Sequence, residues 1–170
     1  MNEVIRVGLA ELKVSKNSTV LTCAGLGSCV AVIMHDPVAK VGGIAHVMLP
    51  GRAPEVRAET AGKYAFTAVE LLLAKMESAG ASRDRIKCKI VGGSRMFRIE
   101  TDLAGKIPGG YPRSVSIGER NVQAVKTSIQ EAGLEIVAED TGGSHGRSIR
   151  FYVNSGKVEI TSIMVGSTEI

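Results

Sequence analysis

The chain has no tryptophan, three tyrosines and three phenylalanines, so aromatics make up 4% of its 170 residues. No run of lysine or arginine interleaves with them, and the net charge of +4 is small and dispersed. That pattern argues against a nucleic-acid partner. Long apolar runs are also missing. None approaches the roughly 18 residues that span a bilayer, so no membrane insertion is expected. Met1-Asn-Glu-Val-Ile-Arg6 lacks the basic and apolar regions of a secretory leader. Cysteine is scarce: Cys23, Cys29 and Cys88. An odd, low count excludes a disulfide framework and suits reduced thiols in the cytoplasm. No His/Cys/Asp cluster has ligand spacing, so no metal and no cofactor are expected. Repeats and linkers are absent, and residues 1–170 are read as one domain with a substantial core.

What is present centres on one stretch. Cys29 ends Gly25-Leu-Gly-Ser-Cys29, a glycine-rich turn, and His46 stands in Ile44-Ala-His-Val-Met-Leu-Pro50. Cys29 to His35 is β-branched and apolar and reads as a buried strand. Asp36 to Lys40 is a turn around Pro37, and Val41 to Leu49 reads as the return strand. If Asp36 faces Val41, Cys29 lies opposite Met48, with His46 two positions away on the same face. A two-residue loop at Pro37-Val38 would put Cys29 directly opposite His46. A three-residue loop would turn His46 to the other face. Context alone leaves two readings of Cys29: a small buried hydrophobe, or a nucleophile with His46 as its base. In the second, the backbone N–H groups of Ser28 and Cys29 would hold an oxyanion.

The remaining elements read as strands over Val4–Val14, Thr19–Cys23, Ile86–Val91 and Leu134–Glu139. A hairpin of Ser148–Val153 and Lys157–Ile163 turns at Asn154-Ser-Gly156. One helix is expected from Thr60 to Ser78, ended by Gly80, and a second from Glu119 to Ala132, ended by Gly133. Leu103–Pro112 reads as loop. His35 is expected to be solvated, and His145 lies in a Gly/Ser loop. Cys23 and Cys88 read as structural thiols. Asp140-Thr-Gly142 copies an aspartic-protease tripeptide, but that chemistry needs two copies. A strand-end turn is the simpler reading.

Seven blocks stand in order: Gly25-Leu-Gly-Ser-Cys-Val-Ala-Val32, Asp36-Pro-Val-Ala-Lys-Val-Gly42, Ala45-His-Val-Met-Leu-Pro50, Gly62-Lys-Tyr-Ala65, Gly92-Gly-Ser-Arg-Met-Phe97, Ile117-Gly-Glu-Arg-Asn-Val122 and Ala138-Glu-Asp-Thr-Gly-Gly143. This series resembles the chemoreceptor glutamine deamidase family, CheD, over nearly the whole chain. The resemblance implies an α+β fold, a three-layer α/β/β sandwich like the catalytic domain of deamidating cytotoxic necrotising toxins. It implies a Cys29 nucleophile, a His46 base, and chemoreceptor cytoplasmic helices as substrate. The CheC phosphatase is the further partner it suggests. The family's third catalytic residue is a threonine six positions before the nucleophile, and here that position is Cys23. A regulatory module that binds receptors or CheC without chemistry is the alternative.

Overall fold

The computed structural model describes residues 1–96 and 115–170. Strand β4 (Val30–Asp36) is the centre of the architecture. Val30 to Met34 are all 1% exposed or less, because both faces of the strand are covered. A strand buried on both sides needs a continuous apolar run, which is what this segment supplies. Its neighbours are β5 (Val41–Val47) and β6 (Lys87–Gly92), both antiparallel to it. Strands β2 (Leu12–Lys16) and β7 (Glu135–Thr141) complete the central sheet in the order β2-β5-β4-β6-β7.

Alternate residues of β4 serve two cores. Val30, Val32 and Met34 join Val41, Ala45 and Val47 of β5 against helices α1 (Ala65–Ser78) and α2 (Ile117–Glu131). Ala31 and Ile33 join Ile44 against an outer sheet. That sheet has the order β1 (Glu3–Arg6), β3 (Thr19–Leu26), β8 (Arg147–Tyr152), β9 (Val158–Ser162), β10 (Gly166–Glu169). Leu21, Cys23, Leu26, Ile149, Phe151, Val158 and Ile160 are its contribution to the second core. The layers are therefore helices, central sheet, outer sheet, as expected for an α/β/β sandwich. Each large aliphatic side chain buried here stabilises the fold by about 1.5–3 kcal/mol.

The β4–β5 register is the one with Asp36 opposite Val41, and it places Ala31 opposite His46. Asp36 fixes it. Its Oδ1 accepts the N–H groups of Val38 and Ala39 at 2.9 and 3.0 Å, closing the turn from its first residue.

Three expectations are corrected. Val4–Val14 is not one strand. It breaks where Ala10 takes φ 62°, with Glu11 N–H donating to Gly8 O, and its halves join different sheets. The first helix starts at Ala65, not Thr60. Ala58–Thr60 forms a separate short turn, and Gly62 is held by its N–H on Ala10 O at 2.8 Å, against the main chain of Glu11. A Cβ at Gly62 would lie 2.2 Å from Glu11 O, so that contact competes with helix and wins. His35 is only partly solvated. Its Nε2 lies 2.8 Å from Val153 O and its ring meets Phe151 edge-on, bridging the two sheets. Strand β10 adds an edge that the sequence did not suggest. Leu103–Pro112 lies outside the described residues.

Candidate active site

Cys29 lies in the short connection between β3 and β4, where the chain passes from the outer sheet to the central one. Three successive carbonyls of this connection are tied down. Gly27 O accepts from Ser94 N–H at 2.9 Å, Ser28 O from Asn121 Nδ2 at 3.0 Å, and Cys29 O from Gly93 N–H at 2.8 Å. The amide N–H groups of Ser28 and Cys29 donate to no acceptor among the described residues. The loop thus spends its acceptors on holding position and keeps two donors uncommitted.

The segment that holds it must come very close. Gly92 has φ +117°, and a Cβ there would lie 2.2 Å from Cys29 O. Only glycine allows that approach. Behind it, Ser94 Oγ donates to Gly142 O and His145 O at 3.0 and 2.7 Å. The buried Arg147 guanidinium donates to Ser94 Oγ and Gly142 O, and pairs with Asp140 at 3.1 Å. Asp140 is therefore an ion-pair partner at the end of β7, in keeping with the strand-end reading.

His46 is 1% exposed, on the β5 face that looks toward the outer sheet. Its backbone N–H is held by Glu11 O at 2.9 Å. Its ring Nδ1 lies 3.2 Å from Cys23 Sγ, which reaches across from β3. Its Nε2 is buried with no hydrogen-bond partner among the described residues. The β4–β5 pairing ends at Val30 opposite Val47, and an extrapolation of it by one residue would set Cys29 opposite Met48, on the alternation of His46. Diagonal neighbours of this kind stand roughly 7–8 Å apart at the backbone, within reach of a ring and a thiol. Cys29 packs against the same inter-sheet core and is close enough for its charge to push up the Cys23 thiol.

The three thiols differ sharply. Burial first, then the charge of Cys29, holds Cys23 up at about 12, and burial holds Cys88 there against the charge of Lys87. Cys29 is half-buried and is raised by desolvation alone. Burial lowers His46 below its ordinary 6.5. Both shifts run toward the neutral forms, thiol and imidazole. Such an arrangement can carry a nucleophile activated by proton transfer at the moment of attack.

The structure brings Cys23 onto His46 and packs Cys29 against the core that holds Cys23, while no hydrogen bond joins Cys29 to His46 among the described residues. Cys23 is more than filler, since it touches the imidazole. Sequence reasoning missed Asn121. It is fully buried on α2, and besides Ser28 O its Nδ2 also donates to Met48 O at 2.9 Å. The signal was an amide among Gly118, Ala124, Val125 and Ser128 on the helix's buried face, where a polar group needs partners.

A family model described as CheD chemotactic sensory transduction matches residues 48–162. Cys29 and His46 precede that span, and the matches to relatives that cover all of this chain extend over their positions. The chain is 42% identical to a chemoreceptor glutamine deamidase CheD of Halalkalibacterium halodurans, over all of both sequences. It is 41% identical to that of Thermotoga maritima, covering 92% of this chain and 90% of the relative. A probable chemoreceptor glutamine deamidase CheD of Pyrococcus abyssi is 37% identical, covering 98% and 96%.

Proposed function

The chain belongs to the CheD family, and on that premise we propose that it deamidates glutamine side chains of chemoreceptors with Cys29 as nucleophile. The observation that carries this is the state of His46. One ring nitrogen is engaged by Cys23, and the other is buried, unpartnered and on the face that Cys29 shares.

The reaction follows from that geometry. The mechanism uses the tautomer in which Nδ1–H donates to Cys23 Sγ, which leaves a lone pair on Nε2. As Cys29 Sγ attacks the amide carbon, its proton passes to Nε2 and an S–C bond forms. The carbonyl oxygen becomes an oxyanion, received by the N–H groups of Ser28 and Cys29. One such donor is worth about 2.7–4 kcal/mol in the transition state. Collapse breaks the C–N bond, and His46 returns the proton to the departing ammonia. Water then attacks the thioester while His46 takes its proton. The S–C bond breaks, Cys29 recovers a proton, and the product is glutamate.

The substrate glutamines lie on receptor cytoplasmic helices, which places the enzyme in the cytoplasm. No described helix is long and apolar enough to cross a membrane. The whole chain acts as one deamidase domain, with the layered architecture of the cytotoxic necrotising toxins. CheC phosphatase is a further partner on this reading. The contact between Cys23 and His46 favours an active site over a purely regulatory module, because the substituted position still meets the imidazole.

Mass spectrometry of receptor cytoplasmic fragments incubated with the protein tests the reading. Glutamine peptides should gain the mass of an amide exchanged for an acid, with release of ammonia. Unchanged fragments that still bind the protein would support the regulatory module instead.

A further inference from the structure

Asn121 joins three parts of the site through one amide. Its Nδ2 donates to Ser28 O at 3.0 Å and to Met48 O at 2.9 Å, tying the nucleophile loop to the end of β5. The residue is 0% exposed. Its own position is fixed from below. Ser116 and Glu119 form a reciprocal cap at the start of α2. Gly118, one turn before Asn121, presses on the main chain of Gly93 and Ser94, where a Cβ would lie 2.4 Å from Ser94 O. Helix α2, the Gly92–Ser94 segment and the Cys29 loop are therefore one locked assembly.

The peptide joining Ser28 and Cys29 is trans, so its C=O and N–H point in opposite directions. Asn121 draws Ser28 O toward α2, which covers one face of the central sheet. The Cys29 N–H must then point away from α2. That is the side of the inter-sheet core, where Cys29 and His46 lie. If Ser28 O were released, the peptide could rotate and place a carbonyl where a donor is needed.

We propose that Asn121 is a positioning residue that fixes the Ser28–Cys29 peptide in the orientation that makes the Cys29 N–H an oxyanion donor. It touches neither substrate nor thiol and acts through the carbonyl it holds. The inference rests on the deamidase reading, and it separates two properties of Cys29. Alkylation by iodoacetamide needs the thiol and its surroundings but develops no oxyanion. Deamidation needs both.

The test compares Asn121→Ala and isosteric Asn121→Asp with the wild type in two assays: kcat and KM on a receptor cytoplasmic fragment, and the rate and pH profile of Cys29 alkylation. The expected result is a kcat loss of about a hundredfold or more, with KM and alkylation little changed. In Asn121→Asp, activity should fall further as pH rises, because an ionised carboxylate repels Ser28 O whereas the protonated acid still donates to it. Alkylation falling in step with kcat would overturn the proposal, since the loop as a whole would have been lost. Retained kcat would overturn it too, as would failure of both variants to fold, which would make the residue structural. A wild-type protein that alkylates at Cys29 but deamidates nothing would remove the deamidase reading, and the proposal with it.

Discussion

His46 Nδ1 stands 3.2 Å from Cys23 Sγ, a contact that crosses from the central to the outer sheet. A thiol is a weaker hydrogen-bond partner than a hydroxyl, so Cys23 should orient the ring less firmly than a threonine in its place would. Cys23→Thr is expected to keep or raise the deamidation rate, and Cys23→Val to lower it several-fold. A net hydrogen bond of about 0.5–1.5 kcal/mol sets that scale. Steady-state kinetics of both variants on one receptor fragment checks this; equal rates for all three proteins would end the orienting role.

Cys29 should be the only thiol that reacts in the native protein. Cys23 and Cys88 are 1% and 0% exposed, whereas Cys29 is half-buried. Brief iodoacetamide treatment followed by peptide mapping should place a single adduct on Cys29 and abolish activity. Cys88→Ala should remain largely active, at a cost in stability from its buried site.

The pH dependence of kcat/KM follows from the two burial shifts. Neutral His46 is the active base, and burial holds its pKa below 6.5. The acid limb should therefore lie below 6.5, with a plateau extending up toward the raised Cys29 thiol. The limbs belong to the coupled pair. His46→Ala should cut the rate by roughly 10²–10⁴ and erase the acid limb. His145→Ala should leave the profile unchanged.

Stability should fall in two stages as pH drops. Burial lowers both His35 and His46, so the unfolded chain takes up protons first. Their contribution is complete above 6.5 and is lost as pH falls through the lower folded values. Asp36 then follows. Burial pulls its carboxyl up, but Arg85 and the N–H groups of Ser82, Ala39 and Val38 more than offset this and hold it well below its ordinary 3.8. Its contribution is present above 3.8 and lost as pH falls further. Asp36→Asn should remove the second stage and destabilise by about 1.5–3 kcal/mol, the worth of hydrogen bonds to a charged group. Thermal melts from neutral to acid pH, on both proteins, measure it.

The β4–β5 register was legible because a strand, a turn and a return strand have few registers, and Asp36 with Val41 is one of them. Both helix stops were legible from Gly80 and Gly133, which adopt φ +104° and +74°. The start of α1 was not. It depends on Gly62 meeting Glu11, a contact between distant segments that no local pattern records. The role of Asn121 was hidden for the same reason: its partners, Ser28 and Met48, come from elsewhere in the chain. His35 was misjudged because its cover, Phe151 and Val153, comes from the outer sheet.

The most direct measurement is acid-quench trapping of the reaction between wild-type protein and a receptor cytoplasmic fragment, followed by peptide mapping. The account predicts a hydroxylamine-sensitive thioester joining a receptor glutamyl group to Cys29, absent in Cys29→Ala, which also releases no ammonia. Continued deamidation by Cys29→Ala, or an adduct on Cys23, would contradict it.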